Sequence, residues 1–582
     1  MAKLDKWRKL VNLPGQRAAS LETSAETSAG VSSPQVDGSG ILARWRWLRS
    51  LGRILIEPYR PLPPAPRGRW TRIAFLLTIL LALAFVVYFT AYTWSLFDAF
   101  LANAEDMGIM DQALWNTLHG AILHQTICNS ISDTNCLGDI SRFAIHFEPI
   151  MLPFSLLYAL APSPKTLLLF QTLVVATGAY PVFWMACRRL ASPLAGLIFA
   201  AGYLLYPALQ GAVMFDFHAV TLTMPLLLFA FYFALTRNNI GLVIACVLAL
   251  ATKEEVPLDV LMLGLAIFAF QRRTKVGLGL IGLSLAWLAM ALAVMHLFSP
   301  VGHSPLASRY SYLGGNPVEA ALYLATHPVE ILRDYMLANG GFEYLNRLLG
   351  AFSFLGLASP LTLILGVPAL MINLLSGTQS MHTGAHQYSA EIVPVMVFSA
   401  ISSLAVLLSL AAWLQPLWAP VRSQLGPRMK RFGGGARLRL KAASAPVLSH
   451  GLLGVLLLLT FYGILVQQRM VRVEHPPQIM VYAWPVVTAH SNLANTVTAR
   501  IPPGASVSAQ DVLVPHLSQR RYIYQYPYRV YQADYVVLDT TGYIYPFTDQ
   551  DEYDASVREL LNSGQFDTDF DQDGYLILRR IH

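Results

Sequence analysis

The sequence predicts an α-helical polytopic membrane protein that ends in a small extracytoplasmic α/β domain. Of its 582 residues, 55% are hydrophobic and only 13% are charged, whereas soluble domains contain about 25% charged residues. Apolar runs long enough to cross about 30 Å of hydrocarbon recur up to residue 466. Beyond residue 467 they give way to short segments typical of strands. We expect about ten to twelve transmembrane helices, because short broken helices add to the long ones.

The basic residues form short clusters between the apolar runs. The formal net charge is +7, but clusters of this kind are the signals that orient membrane helices. We therefore expect the lipid bilayer as a partner and no nucleic acid. Residues 1–71 are basic and contain a Ser/Thr/Ala/Gly-rich stretch. They are predicted to form a cytosolic, largely flexible tail with a surface helix near Ile41–Ile56.

The first apolar run, Ile73–Trp94, begins too far into the chain and is too long for a cleaved signal peptide. It is predicted to be a retained span of the cell (plasma) membrane, with Trp94 at its outer end. The transmembrane domain then covers residues 72–467, with a first outer loop at 95–165, and the extracytoplasmic domain covers residues 468–582. Prolines interrupt Leu348–Leu375, which forms either two short passes or a re-entrant hairpin.

The C-terminal domain is predicted to contain strands at Ala505–Ala509, Arg521–Tyr526 and Ala533–Asp539, followed by a helix at Ala555–Ser563. Asp573-Gly574 is expected to turn a last hairpin. The run from Asp569 to Gly574 matches the start of a calcium loop, but Arg580 stands at the twelfth position, where a bidentate Glu is needed. We therefore interpret this run as a turn and not as a calcium site.

Four cysteines are too few for a disulfide scaffold. Cys187 and Cys246 lie within apolar runs and are expected to be packing residues. Cys128 and Cys136 lie in the first outer loop, and they are close enough in sequence to bridge in an oxidising compartment. The spacing leaves both a disulfide and two free thiols open.

The first outer loop carries the main candidate site, because Glu105–Glu148 places carboxylates and amides directly after the first span. Asp106 and Asp111 are its leading residues. Four further polar clusters fall on the same side if successive spans alternate in direction: Asp216 and His218; Lys253, Glu254 and Glu255; His303, Arg309 and Tyr310; and His382, His386, Gln387 and Tyr388. Ionisable residues at membrane depth are costly and usually serve a pathway or a site. We therefore predict one outward-facing site.

Each cluster also has a simpler interpretation. Asp106 and Asp111 lie about 140° apart around a helix, and the apolar stripe Met107, Met110, Leu114 and Leu118 fits a helix lying in the membrane interface. Lys253-Glu254-Glu255 has the composition of a salt-bridged loop. His382 and His386 have the i, i+4 spacing of a metal pair, but Gly384 weakens the helix that this would need. His146 and Glu148 are placed as ordinary loop residues would be.

Several motifs together resemble one family. They are Asp106–Asn116, His146–Pro149, Pro162–Gln171, Phe215–His218, Lys253–Glu255, Tyr388–Ala390 with Pro394, and Val514–Arg520. Over about residues 73 to 545 the chain resembles the prokaryotic membrane-protein family catalogued as domain of unknown function 2079. That family looks like the GT-C glycosyltransferases, which carry an aspartate in the first outer loop and take sugars from polyprenyl-phosphate carriers.

The resemblance implies an inverting transfer from a polyprenyl-phosphate-linked sugar donor to a glycan, lipid or protein acceptor. Such a transfer needs a carboxylate base and groups that stabilise the departing phosphate. Asp106 is the first choice as base, and Asp111 is an alternative base or a positioning group. The remaining substrate-binding candidates are Lys253, His386 and Arg309 for the phosphate, Trp115 and Tyr388 for stacking on a sugar, and His146, Glu148, Asp216, His218 and Glu254. A divalent metal bridging Asp106 and His146 or Glu148 is left open, and no other cofactor is implied.

Two other classes of protein compete with this reading. A transporter or flippase for a lipid-linked or polar solute also uses broken helices and buried charges near mid-membrane. It should show repeated halves in the sequence, and no convincing repeat is evident. A non-catalytic assembly protein, whose outer domain recruits partners, would tolerate replacement of Asp106.

Overall fold

The computed structural model describes residues 49–131, 138–302, 305–314, 317–338, 340–429, 445–473 and 484–581. The chain divides into two units, Met1–Gly52 and Arg53–His582. In the first unit only residues 49–52 are described, and they are helical. The first half of the surface helix expected near Ile41–Ile56 therefore lies outside the described residues, and residues 49–55 are helical. The membrane helices and the C-terminal sheet belong to the second unit.

Among the described residues, five helical segments are long and apolar enough to cross a membrane: Arg69–Asp98, Pro164–Arg189, Ala219–Thr236, Thr274–Phe298 and Ile392–Leu414. The pair Pro193–Leu204 and Pro207–Met214, bent by 42°, makes a sixth if it counts as one span. Four apolar helices are shorter: Asn239–Leu250, Val256–Gln271, Pro360–Leu374 and Gly451–Val466. A straight crossing takes about 20 residues. The helical membrane class is thus confirmed, and the total of ten to twelve spans stays a prediction.

Other helices connect these segments or continue them. Their bounds are Ile109–Leu118, Met151–Tyr158, Pro317–Thr326, Gly341–Gly350, Ile392–Met429 and Ala445–Val473. Pro360–Leu363 and Val367–Leu374 both have a proline in their first turn, where its missing N–H does no harm. The prolines thus explain why the stretch Leu348–Leu375 is broken into short helices.

Local signals start and orient the long helices. Ser163 caps the helix that begins at Pro164 by accepting the Lys165 N–H, and Ser192 caps the next helix by accepting the Ala195 N–H. The first span, Arg69–Asp98, which we call span 1, buries only one face. On that face lie Ala74, Thr78, Ala82, Phe85 and Phe89, while Leu76, Leu80, Leu83 and Val87 remain exposed. An apolar exposed face of this kind is expected where lipid surrounds a helix.

The end of the predicted flexible tail is packed and not free. A single turn at Glu57–Tyr59 precedes span 1. The Tyr59 side chain is buried, with its ring centroid 4.7 Å from that of Phe270, and its hydroxyl donates to the Leu361 carbonyl at 2.7 Å. An aromatic side chain buried in this way outweighs the cost of ordering a short segment. Residues shortly before the predicted domain boundary at residue 71 are therefore packed against the membrane helices.

The C-terminal region forms a five-stranded mixed sheet. A two-stranded ribbon in the first loop comes earlier, with β1 at His124–Gln125 and β2 at Ile140–Ser141. The sheet strands are β3 (Val507–Ala509), β4 (Ile523–Gln525), β5 (Tyr535–Asp539), β6 (Phe566–Gln572) and β7 (Tyr575–Arg580). Their order is β4-β3-β5-β7-β6, with β3 parallel to β4 and β5 and with β7 antiparallel to β5 and β6. Helices Ala489–Ala499 and Gln550–Asn562 accompany the sheet. Each predicted strand overlaps an observed one.

The hairpin between β6 and β7 turns at Asp573-Gly574, as predicted. Both residues have positive φ, +51° and +83°, as a two-residue type I′ turn requires. The run Asp569–Gly574, which resembles the start of a calcium loop, therefore lies in a strand and a tight turn.

The sheet and the first loop share one hydrophobic core. Phe100, Ala104, Ile109 and Ile127 from the loop pack with Val507, Leu513, Val514, Ile523 and Val537 from the C-terminal region. Burial of this surface ties the two parts together, because each would otherwise expose apolar area to water. The loop that carries the candidate aspartates is thus held by the sheet as well as by span 1.

Candidate functional site

A five-residue π turn, Ala104–Gly108, carries Asp106 shortly after span 1 ends. Asn103 caps this turn, since its side-chain oxygen accepts the Asp106 N–H at 2.9 Å. The same residue reaches Asp216, whose Oδ2 accepts the Asn103 side-chain N–H at 2.8 Å and the backbone N–H at 3.1 Å. The turn is therefore fixed to the linker that follows the bent helix pair.

Asp106 is in hydrogen-bond contact with His218. The Nε2 atom of His218 lies 2.8 Å from Asp106 Oδ1, and 25% of the Asp106 side chain is exposed. Burial by itself would raise the pKa of Asp106, but the facing His218 charge and its hydrogen bond lower it below the ordinary value. His218 is held by its backbone N–H, which donates to Gln171 at 2.9 Å, and its ring stacks on Phe215. Its Nδ1 atom is buried and has no hydrogen-bond partner among the described residues.

Two more carboxyl groups near the turn have raised pKa values. Asp511 Oδ1 accepts the Ala104 N–H at 3.0 Å and the Gln525 side-chain N–H at 3.1 Å. Burial, followed by the charges of Glu105 and Asp106, raises the pKa of Asp511 to about 8. Burial and the charge of Asp106 raise the pKa of Asp216 as well. Within this group, Asp106 is the carboxyl group whose ionised form the surroundings favour.

Short polar contacts hold His146 against Glu254 and Glu148 against Arg142. His146 Nδ1 lies 2.7 Å from Glu254 Oε1, and Glu254 Oε2 accepts the Phe147 N–H at 3.0 Å. Arg142 Nε donates to Glu148 Oε2 at 2.8 Å. Burial opposes ionisation of Glu254, yet His146 lowers its pKa. These contacts join the first loop to the turn after Asn239–Leu250.

The contacts do not assemble the metal site that the sequence left open. Asp106 faces His218, His146 faces Glu254, and Glu148 faces Arg142. Across the described ranges, no group of three His, Cys, Asp or Glu side chains is arranged to hold a metal ion.

Lys253 belongs to a buried charged cluster. Its Nζ atom donates to Glu255, and Glu391 adds a second negative charge nearby. Burial would lower the pKa of Lys253, but these carboxylates raise it. Glu391 is itself buried, and burial together with the Glu255 charge raises its pKa. Within Lys253-Glu254-Glu255, the salt bridge of the simpler interpretation joins Lys253 to Glu255, whereas Glu254 faces His146.

Arg309, Tyr388 and His386 connect to the Asp106 pair through aromatic rings. The Arg309 guanidinium lies 5.8 Å from the centroid of the Tyr388 ring, and that ring lies 6.3 Å from His386. His386 meets Phe215 edge-on at 4.6 Å, and Phe215 stacks on His218. In the described part of the chain, Arg309 has no carboxylate within salt-bridge distance, and its Nη1 atom contacts Met381 sulfur at 3.8 Å.

His382 and His386, which have the sequence spacing of a metal pair, contact different residues. His382 is buried and its Nε2 atom lies 2.6 Å from the Asn373 carbonyl oxygen. His386 Nδ1 lies 3.2 Å from the Thr383 hydroxyl. His303 lies outside the described residues.

Asp111 and Trp115 stand apart from this network. Asp111 is fully buried, accepts hydrogen bonds from the Tyr158 and Ser518 hydroxyls, and has its pKa raised to about 6 by burial. Trp115 is half-buried and stacks on His119, with ring centroids 3.8 Å apart. The apolar stripe Met107, Met110 and Leu114 is buried in a protein core, so this helix does not lie on lipid through that face.

The segment Val514–Arg520, which we call the docking segment, attaches the sheet domain to the loop. The His516 ring stacks between Phe97 and Phe100, with centroids 4.0 and 3.6 Å away, and Nε2 donates to the Phe97 carbonyl at 3.0 Å. Ser518 donates to Asp111 at 2.7 Å, and Gln519 donates to the Tyr158 hydroxyl at 3.0 Å. This motif was part of the resemblance, but the sequence assigned it no role.

Cys128 is disulfide-bonded, which removes the free-thiol alternative for that residue. Cys136 lies outside the described residues. Cys187 and Cys246 are free and buried, as expected for packing residues.

The sequence interpretation missed three residues that shape the site. Asn103 stands three positions before Asp106, and this spacing is a capping signal that could have been recognised. Asp511 is 407 positions from Ala104, so no local pattern announces their contact. Glu391 follows a Ser-Ala pair at the start of an apolar run and resembles an ordinary boundary charge.

Several long apolar helices, with polar loops packed on a C-terminal sheet, define a multi-pass membrane protein associated with the lipid bilayer. The chain belongs to the family described as "Predicted membrane protein (DUF2079)", whose model matches residues 96–577. The match begins near the end of span 1 and ends within β7, so it includes the Asp106 turn and the docking segment. The family resemblance drawn from the motifs is thereby confirmed. No curated protein matches the chain.

Proposed function

We propose that this protein is a GT-C-like glycosyltransferase of the cell membrane. It would move a sugar, with inversion, from a polyprenyl-phosphate carrier to a hydroxyl of a glycan, lipid or protein acceptor on the outer face. The observation that carries this proposal is the Asp106–His218 pair, 2.8 Å apart and partly exposed just beyond the end of span 1. A donor held by its lipid tail in the bilayer would present its sugar near such a position.

Asp106 acts as the general base in this mechanism. It takes the proton from the acceptor hydroxyl while the acceptor oxygen bonds to the anomeric carbon of the sugar. The bond between that carbon and the phosphate oxygen breaks, and its electron pair leaves with the phosphate. His218 keeps Asp106 ionised before the reaction, because its charge and hydrogen bond lower the pKa of the carboxyl group.

Arg309 is the preferred group for the departing phosphate. Lys253 already faces Glu255 and Glu391, whereas Arg309 touches no carboxylate among the described residues. A guanidinium without a carboxylate partner suits the bidentate recognition of phosphate. Tyr388 lies beside Arg309 and is the candidate surface for a sugar ring. Asp111, which is fully buried, serves as a positioning group and not as a base.

The experiment compares Asp106→Asn with Glu105→Gln in purified protein reconstituted into nanodiscs. The probes are polyprenyl-phosphate mannose, glucose and arabinose, and the measurement is release of polyprenyl phosphate in the presence of membrane extract as acceptor. We expect turnover of at least one donor, a loss of about 100-fold or more in Asp106→Asn, and near wild-type turnover in Glu105→Gln. Full turnover by Asp106→Asn would show that Asp106 is not the general base.

A transporter is the second candidate, and one observation favours it. Asp259 and Glu391 are buried, and each has a carboxylate oxygen with no hydrogen-bond partner among the described residues. Asp259 lies near Glu391, and Glu391 lies near Lys253. Buried carboxylates grouped with a lysine are a typical arrangement for ion-coupled movement of a solute. Liposome assays separate the two functions. If the protein is a transporter, the wild type should move a labelled lipid-linked sugar across the bilayer without transferring the sugar, and Glu391→Gln should stop that flux.

A further inference from the structure

The C-terminal domain has a cleft that the Asp106 site does not use. It lies between the segment after β4 and the helix Gln550–Asn562, and it encloses about 330 Å³. That volume is at the lower end of the range for ligand pockets, about 300 to 1,000 Å³. Its principal side chains are Tyr526, Arg529, Tyr531, Gln532, Ser556 and Glu559.

The walls of the cleft alternate ring faces with hydrogen-bonding groups. The Tyr526 ring is buried, and its hydroxyl lies 2.6 Å from the Ser556 hydroxyl. The Tyr531 side chain is 41% exposed, and Gln532 and Glu559 are exposed beside it. A purely apolar ligand would desolvate the amide and the carboxylate without replacing their hydrogen bonds. A ligand with C–H faces and many hydroxyls would satisfy both kinds of surface.

Arg529 lines the cleft, but its guanidinium contacts three residues that do not line it. Its guanidinium lies 5.3 Å from the Tyr528 ring centroid and 5.7 Å from that of Tyr524, and it approaches Asp139 at 3.5 Å. Its backbone has φ +49°, in the left-handed region that non-glycine residues seldom adopt. Such conformations persist where the surroundings fix them, and they cluster at ligand sites.

We propose that this cleft binds a short oligosaccharide. The Tyr531 ring packs against the C–H face of one sugar, while Gln532 and Glu559 take hydroxyl groups. Glu559 is the carboxylate that lines the cleft, and Arg529 already faces Asp139. This charge distribution favours a neutral ligand over a phosphate or a nucleic acid, because an anion would meet the Glu559 carboxylate. The inference does not rest on the proposed glycosyltransferase activity, because the cleft and the Asp106 pair share no residue.

The test uses the full chain in nanodiscs and three probes: chitotriose, maltotriose and mannotriose. Saturation-transfer NMR detects binding, and titration gives Kd. We expect at least one probe to bind, with Tyr531→Ala and Glu559→Gln each weakening that binding by about tenfold. Tyr522→Ala is the matched aromatic control, because Tyr522 is 40% exposed and lies outside the cleft. Glu552→Gln is the matched carboxylate control on the same helix.

Two results would overturn the proposal. One is the absence of saturation transfer from all three probes at about 10 mM. The Kd would then exceed about 10 mM, which is weaker than specific recognition requires. The other is binding that Tyr531→Ala and Glu559→Gln leave unchanged, since the sugar would then bind elsewhere. Asp106→Asn should bind the probe as the wild type does. Intact binding without any sugar transfer by the wild type would contradict the proposed enzyme and still support the cleft.

Discussion

Asp106 and Asp111 stand five residues apart on the same loop, yet their surroundings favour opposite protonation states. Asp106 is partly exposed and faces His218, so its pKa is lowered. Asp111 is fully buried among hydroxyl donors, and its pKa is raised to about 6. Only a neighbouring positive charge outweighs the cost of burying a carboxylate here, whereas hydroxyl groups do not. This contrast supports the proposal that Asp106 is the base, whereas the hydrogen bond from Ser518 makes Asp111 part of the attachment of the sheet domain to the loop.

The largest effect on stability should come from Asp111→Ala. The change removes the buried acceptor of the Tyr158 hydroxyl and one of the two acceptors of the Ser518 hydroxyl, which keeps the Pro515 carbonyl. The loss should be about 2 to 5 kcal/mol in the free energy of unfolding. Thermal unfolding in detergent, with protease cleavage of the sheet domain as a second readout, measures it. Asp98→Ala is the control, because Asp98 is a partly exposed surface carboxylate paired with Lys165 and should cost less than about 1 kcal/mol.

Asp106→Asn should cost less than Asp111→Ala, because the amide keeps an acceptor oxygen for His218. If Asp106→Asn unfolded as easily as Asp111→Ala, the assignment of one aspartate to chemistry and the other to attachment would be wrong.

The two aspartates should also give opposite dependences of stability on pH. The pKa of Asp111 is about 6 in the folded chain against 3.8 ordinarily. Its contribution to stability is therefore fully present below about pH 4 and lost as the pH rises through 6, by at most about 3 kcal/mol. The contribution of Asp106, whose pKa is lowered, is present above its ordinary pKa and lost as the pH falls below it.

The measurement is the free energy of unfolding of the wild type minus that of Asp111→Asn, followed from pH 4 to pH 7. The difference should decrease with rising pH, whereas the same difference for Asp106→Asn should not. A flat curve for Asp111→Asn would mean that the carboxyl group titrates normally and is accessible to water.

Gly108→Ala should loosen the attachment from the side of the loop. A Cβ atom at this position would lie 2.9 Å from Val514 Cγ1 and 3.2 Å from Ile127 Cδ1, so the docking segment would have to shift. Overpacking of this kind costs about 1 to 3 kcal/mol. Gly504→Ala is the matched control, since nothing lies within 4 Å of a Cβ there. Equal unfolding temperatures for the two variants would show that the loop and the docking segment are not closely packed.

The difference between the aspartates could be predicted from the sequence only in part. Local patterns predicted the first span and the hairpin at Asp573-Gly574, because neighbouring residues determine each of them. Alternation of the spans placed Asp216 and His218 on the side of Asp106, and the structure brings these residues into contact. Alternation could not say which residue would pair with which.

The surroundings of Asp111 could not be predicted, because they come from distant parts of the chain. Tyr158 is 47 positions away and Ser518 is 407 positions away. The sequence therefore treated Asp106 and Asp111 as near equivalents, ranked by distance from span 1 alone. Long-range contacts, with His218 for Asp106 and with Tyr158 and Ser518 for Asp111, are what separate their surroundings.

The smallest expected effect is that of His516→Phe. Burial lowers the pKa of His516 to about 3, so the ring is neutral and its Nε2–H donates to the Phe97 carbonyl. Phenylalanine keeps the stacking between Phe97 and Phe100 and loses that single hydrogen bond, which should cost about 1 kcal/mol. His516→Ala, which also removes the ring, is the comparison and should cost more in thermal unfolding. If His516→Phe destabilised the protein as much as Asp111→Ala, the hydrogen bond to span 1, and not the buried aspartate, would be the main attachment of the sheet domain.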